Sequence, residues 1–366
     1  MILRFYPKKD ATIYENYPSK NTGLDAILDV SKVIVNSSSY NSRVLIDFDY
    51  TAISASIVSL GYNPNAFKYN LKAYLAEAAE IPLDYTLYCF PTYTSWSMGV
   101  GRYGNSPETT DGVSWRYKDS AANAATAWLT SSFPATVTAS WSNATGGGTW
   151  YTSSAGSQSF SYTTSDIDID VTAIIRQVQS GSINFNGFII KKSENDEKST
   201  TSVFNSLKFF SKDTHTVYSP IIEAKYDDSI TAGSLNLVNT DDEINVIAVN
   251  MKSTYTETST PLIRFSSRYR YPADSFTTSS GYLVRYRLPS DTQYAVYNAN
   301  SDDIIVNFSE YTKLSDDSTS SYLKLHLDSF QPQRYYRLLL KVPNSGSNSG
   351  YQIYDDNWIF KVTRNQ

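Results

Sequence analysis

An all-β protein of two β-sandwich, jelly-roll-like domains with one short helix near 171–180 is the fold that this sequence predicts. Three observations predict it. The 366 residues include 30 Tyr and 16 Phe among abundant Ser and Thr, side chains that suit a half-buried pleated surface. Apolar residues recur mainly with period two, and the clear helical spacing is that of Val171, Ile174, Ile175 and Val178. Beyond residue 228 the chain breaks into eight strand-like runs separated by turn signals at the spacing of a sandwich.

In chain order, residues 1–50 give three or four strands. Val44, Ile46 and Phe48 fall on one face of the run from Arg43, with Leu45, Asp47 and Asp49 on the other. Asn21-Thr22-Gly23 supplies a turn. A further strand runs from Phe67 to Leu75, and the AYLAEAAE that overlaps its end fits either a strand or one helical turn. From about 91 to 165 the chain turns to Ser, Thr, Gly and Ala and holds Trp96, Trp115, Trp128, Trp141 and Trp150. This is expected to be an insertion of hairpins, with Gly146–Gly148 marking a flexible tip or a tight bend.

At 166–171, Ile167, Ile169 and Val171 alternate with three aspartates, the pattern of a strand with one wet face. The helix follows, with Asp170 placed to accept from its first turn and Gly181 placed to end it. It is expected to be the longest helix in the chain. Strands beginning at Gly187, Ser206 and Ile221 complete the unit. The polar run from Asp227 sets the boundary, giving domains of 1–228 and 229–366.

An acidic strand entering "DVT", a short helix ending in Ser-Gly, then "GFIIKK" and a closing strand after Ser-Pro resemble the second half of a DNRLRE-type module. DATIYENYPSKNTGLDAILDV and NSRVLIDFD, within residues 10–49, resemble the first half; KAYLA and GVSWRYKD fit between. These modules are disaggregatase-related jelly rolls of secreted polysaccharide-active proteins, and the resemblance covers about 1–227. It implies a carbohydrate-binding role. RYRYP, YTKLSDDS, QPQRYYRLLLKV and DDNWIFKV in the second domain resemble uncharacterised structural proteins of contractile-tailed phages.

Composition removes several functions. A net charge of −5 argues against nucleic acid, whose binders neutralise phosphate. Cys89 is the single cysteine and His215 and His326 are the two histidines, so neither a disulfide framework nor a Cys/His metal site is expected. His215 falls in a loop and His326 is expected to point outward. No apolar run is long enough to span a membrane. The start lacks the basic and apolar regions of a secretory signal, from which a protein assembled in a host cytoplasm is expected.

Asp166, Asp168 and Asp170 suit a solvated face or a hard cation, but their spacing is not that of a calcium loop, and no metal or cofactor is expected. Nothing singles out a catalytic carboxylate pair, so no enzyme is expected. Trp96 and Trp150, in the most polar surroundings, are the candidates for stacking on a sugar. Arg268, Tyr269, Arg270, Tyr271, Arg285 and Arg287 are the candidates for a protein interface, because Tyr and Arg are enriched at binding hot spots. The expected function is that of a virion structural protein in a multi-subunit assembly, with other virion proteins as partners. The alternative is a carbohydrate-binding module that meets a host surface glycan.

Overall fold

Period-two patterning becomes antiparallel ladders along most of the chain. The computed structural model describes residues 1–364 apart from 37, 80, 122–123, 130–136, 140–145, 162, 164, 200–203, 274–283 and 346–349. It divides into two units, Phe5–Ala224 and Met1–Arg4 together with Lys225–Gln366. The boundary therefore differs from a single cut at 228. Ile2 lies in the core of the C-terminal unit, Arg4 N donates to Ser329 Oγ (3.0 Å), and Tyr226 N donates to Met1 O (3.0 Å). An N-terminal segment is claimed by a distant core because its apolar side chain has a place there.

The Phe5–Ala224 unit is built on a six-stranded sheet ordered Gly156–Phe160, Tyr85–Pro91, Phe188–Lys192, Ser38–Phe48, Pro7–Tyr14, with Lys32–Val35 hairpinned onto Ser38–Phe48. A second layer holds Ile167–Asp170, Lys68–Ala73 and Ile221–Lys225, then Ile27–Asp29, Ser206–Phe210 and Leu75–Ala79. The ambiguous AYLAEAAE is thus strand. Val44, Ile46, Phe188, Ile190 and Cys89 share one face of the six-stranded sheet and are buried.

The opposite face is also covered. Ala11, Ile13, Leu45 and Ile189 pack with Trp96, Val113, Trp115, Trp128 and Trp150. The tryptophan-bearing segment is a third layer, which is why residues 41–48 are buried without interruption. Gly156–Phe160 belongs to the main sheet, so the insertion ends earlier than 165. Gly146–Gly148 is a buried bend. All three adopt positive φ, and a Cβ on Gly146 would sit 2.0 Å from Trp115 O.

The predicted helix runs Thr172–Gln179, with Thr172, Ile174, Ile175 and Val178 buried. Asp170 Oδ1 accepts from Thr172 N (2.8 Å), and Gly181 has φ +72°. It is not the longest. Tyr50–Ser59 has 10 residues against 8, is capped by Asp49 accepting from Ala52 N, and buries only Ile53 and Ile57. Its β-branched residues and single buried pair give a weak periodic signal. Ile174→Ala is expected to cost about 2–5 kcal/mol by opening a cavity, read as a lowered urea midpoint at constant slope.

The C-terminal unit is a two-sheet sandwich. One sheet is ordered Ile244–Ala248, Leu262–Tyr269, Ser321–Lys324, Ser315–Asp316. The other is ordered Thr254–Thr256, Tyr351–Thr363, Arg334–Pro343, Gln293–Asn298, Ile304–Val306, its first pair parallel. Val246, Ile263, Phe265 and Leu323 from one meet Tyr294, Val296, Leu338, Leu340, Phe360 and Val362 from the other in one core. Of the eight expected strands, the run at residues 282–289 makes only isolated bridges at Tyr286 and Arg287, and residues 282–283 of it lie outside the described residues.

Candidate functional site

The described tryptophans of the insertion are consumed by packing. Trp96 is 4% exposed and Trp150 0%, which corrects the expectation that these two reach solvent. The polar residues around them in sequence are not their neighbours in space. Trp96 Nε1 donates to Asn186 O (3.1 Å) and its ring lies 4.4 Å beneath the Lys9 ammonium. Trp115 and Trp128 are equally buried, and Trp141 lies outside the described residues. A sugar ring therefore has no access to Trp96 or Trp150.

Beneath this layer sits a buried charge network. Arg43 Nε and Nη2 donate to Glu197 Oε1 (3.0 Å) and Oε2 (2.8 Å), and Nη1 donates to Gly147 O. Lys191 Nζ is 3.2 Å from Glu197 Oε2, and the Arg43 guanidinium lies 4.8 Å from the Trp115 ring and 5.2 Å from Trp150. Burial alone would raise the Glu197 carboxyl, but Arg43, Lys191 and Lys192 outweigh it and hold the group below its usual range. Burial drives Lys191 down to about 7 and Lys192 to about 8 against the pull of Glu197. Three cations share one carboxylate, an arrangement that locks layers together. It presents no group to a substrate.

The arginine–tyrosine candidates are brought together in the C-terminal unit. The strand Leu262–Tyr269 ends inside the first motif, and Ser267 bridges to Tyr286 of the second, with Tyr286 N donating to Ser267 O (3.0 Å). Their side chains then diverge in role. Tyr269 packs against the core and edge-on to Tyr286, with ring centroids 4.8 Å apart. Arg287 is a strut: its Nε donates to Leu235 O (3.2 Å) and its Nη1 to Asp316 Oδ2 (3.2 Å). Arg268 is half-buried.

Arg270, Tyr271 and Arg285 face solvent, Tyr271 at 73% exposure. Arg270 meets Glu243 at 3.2 Å, an exposed pair of little strength, and leans over the Tyr271 ring. Asp242, Glu243, Tyr269, Tyr271 and Ala273 line a hollow of about 450 Å³ here. The strand stops at Tyr269, so Tyr271 lies beyond it and is free of the ladder.

A second hollow, of about 480 Å³, lies on the Phe5–Ala224 unit, lined by Tyr85, Tyr88, Phe204, Asp84, Thr86 and Asp196 among others. Tyr85 stacks on Phe160 with centroids 4.8 Å apart and meets Phe204 edge-on. Sequence reasoning missed it, because its lining comes from three separate stretches.

The aspartate row is engaged in hydrogen bonding. Asp166 Oδ1 accepts from Leu75 N, Asp168 Oδ1 from Asn70 Nδ2 and Asp170 Oδ1 from Thr172 N, each at 2.8 Å. Among the described residues no group of three or more His, Cys, Asp and Glu is placed to hold a metal. His326 is half-buried rather than outward, at the start of the short turn Leu327–Ser329, and burial lowers its pKa. Among the described residues no helix is long and apolar enough to cross a membrane.

No family model matches the chain, and no curated protein matches it. Among solved structures, the adhesin domain of Epf from Streptococcus pyogenes aligns over 100% of this chain and 92% of that one at 8% identity, with a TM-score of 0.16. That likeness is too slight to carry an argument about fold or role.

Proposed function

We propose that this is a non-enzymatic structural protein of a tailed-phage particle, at the neck, baseplate, tail or capsid surface, working through protein–protein contact. The observation that carries the contact reading is the outward set of Arg270, Tyr271 and Arg285, held on a sheet end beside an acidic hollow. Tyr and Arg there combine a large apolar area with directional charge, the chemistry of interface hot spots. The placement in a phage rests on the resemblance of the second domain's sequence. Arg270→Ala with Tyr271→Ala is expected to cut incorporation into particles roughly tenfold or more, with the urea midpoint unchanged. Normal incorporation of the double variant overturns the reading.

The hollow at Tyr85 and Tyr88 supports a second reading, a carbohydrate-binding module. Aromatic faces beside Asp84, Thr86 and Asp196 offer stacking and hydrogen bonds to a saccharide. Calorimetric titration with host surface polysaccharide separates the readings: Tyr88→Ala would abolish binding there and leave incorporation intact.

A further inference from the structure

The hollow at Tyr85 and Tyr88 does not end at Tyr85. It shares Pro82 and Tyr85 with a second hollow of about 270 Å³, walled mainly by Leu75, Ala78, Ile81, Leu83 and Leu207. The ladder builds that apolar wall, since Ala78 opposes Leu207 and Leu75 opposes Phe209. The chain then passes from one hollow to the other within six residues. Ile81 and Leu83 line the apolar part, Asp84 and Thr86 line the polar part, and Tyr85 belongs to both. Phe160 stacked on Tyr85 and Phe204 edge-on to it hold this shared ring in place. Leu83 is 68% exposed, an apolar side chain left open directly beside a carboxylate.

The charge of the polar part has one sign. Asp84 and Asp196 line it, and among the described residues no Lys, Arg or His lines either hollow. Two cations on adjoining strands are buried and turned away. Lys32, bridged to Phe204, gives its ammonium to Asp196 O and Ser199 O. Lys191, opposite Tyr88 in the register, gives its own to Glu197. Asp196 accepts from Ser193 Oγ (2.5 Å), whereas Asp84, Tyr88 and Asn195 make no side-chain hydrogen bond among the described residues. The polar part therefore keeps a carboxylate, a phenol and an amide in reserve.

We infer, resting on the saccharide reading of this hollow, that its ligand is a neutral glycan carrying N-acetyl groups. Tyr88 supplies the ring on which a sugar face lies, and Asn195 and Asp84 supply bonds to its hydroxyls. An acetamido group carries in one substituent the two things the junction at Tyr85 offers to be matched. Its N–H suits the Asp84 carboxylate, which can only accept. Its methyl suits the apolar wall that begins at Leu83. A plain hydroxyl satisfies the first and leaves the wall exposed to water. A uronate or a phosphate brings negative charge to two carboxylates with no cation to offset them, which selects against it. The class of ligand follows from the lining and does not depend on the Arg270 surface or on the phage placement.

Isothermal titration calorimetry of the full chain tests it with four β-1,4-linked or α-1,4-linked tetramers: of N-acetylglucosamine, glucose, glucosamine and galacturonate. The N-acetylglucosamine tetramer is expected to bind about tenfold or more tighter than the glucose tetramer, the discrimination that one apolar group in a pocket provides. It should also exceed the glucosamine tetramer, and the galacturonate tetramer should not bind. Ala78→Phe, an exposed position in the apolar part, should reduce the acetylated tetramer to the affinity of the glucose tetramer and leave the latter unchanged. Asp84→Lys should admit the galacturonate tetramer. Circular dichroism should be unchanged in both variants. Equal affinity for the glucose or glucosamine tetramer, binding of the galacturonate tetramer by the unaltered chain, or an acetyl preference that survives Ala78→Phe overturns the inference and leaves the saccharide reading standing. No heat with any of the four removes both.

Discussion

Glu197→Ala is expected to destabilise the Phe5–Ala224 unit by about 3–5 kcal/mol, the cost of leaving buried charge without its partner. Arg43, Lys191 and Glu197 are each at most 3% exposed, so water cannot replace the lost carboxylate. Arg43 would keep Gly147 O and the two indole faces but lose both bonds to Glu197. Lys191→Met should lose far less, because it removes a charge that burial already disfavours. The pair also fixes a pH signature. The Lys191 pKa lies below its unfolded value, so between about 7 and about 10.5 the fold binds fewer protons than the unfolded chain, and this group's contribution to stability rises with pH. Glu197 acts at the other end: its contribution is present above the unfolded carboxylate value and disappears as pH falls through the lower folded one. Urea titrations at pH 7 and pH 9 check this; Lys191→Met should reduce the gain between them.

Trp150→Ala should be nearly as damaging, at about 3–5 kcal/mol. Its ring is fully buried among Phe90, Arg43 and Lys191, and Thr138 and Thr92 are paired to its backbone. Collapse around the hole is limited by charged neighbours that cannot pack closely on one another. The measurement is again a urea midpoint, together with loss of near-ultraviolet circular dichroism from the tryptophan layer. Loss of glycan binding with stability unchanged would mean that Trp150 is a surface platform, against its burial.

The strands and the helix at Thr172–Gln179 were legible because each has one buried face and therefore a period. The third layer was not legible by that rule. Strands buried on both faces carry no alternation, and FIIKK at Phe188–Lys192 hid two buried lysines in what looked like a polar strand end. The adjacent apolar pair Ile189 and Ile190 was the available signal, since one of them had to face away from the sandwich core. Polar neighbours in sequence misled the placement of Trp96 and Trp150, because residues adjacent in a loop need not share an environment. Arg270 and Tyr271 were found by composition, while Arg287 was lost to Asp316, a partner 29 positions away.

The interrupted C-terminal unit has a consequence for the order in which the chain acquires structure. Its core takes Ile2 from before residue 5 and the rest from beyond residue 224. If the intervening 220 or so residues were still a flexible loop, docking Ile2 would carry a closure entropy of about 5 kcal/mol. Once Phe5–Ala224 has folded, that loop becomes a rigid body whose two exits are fixed, and most of the closure cost has already been met by its own contacts. The Ile2 contact is therefore cheaper to close when Phe5–Ala224 is folded than when it is not.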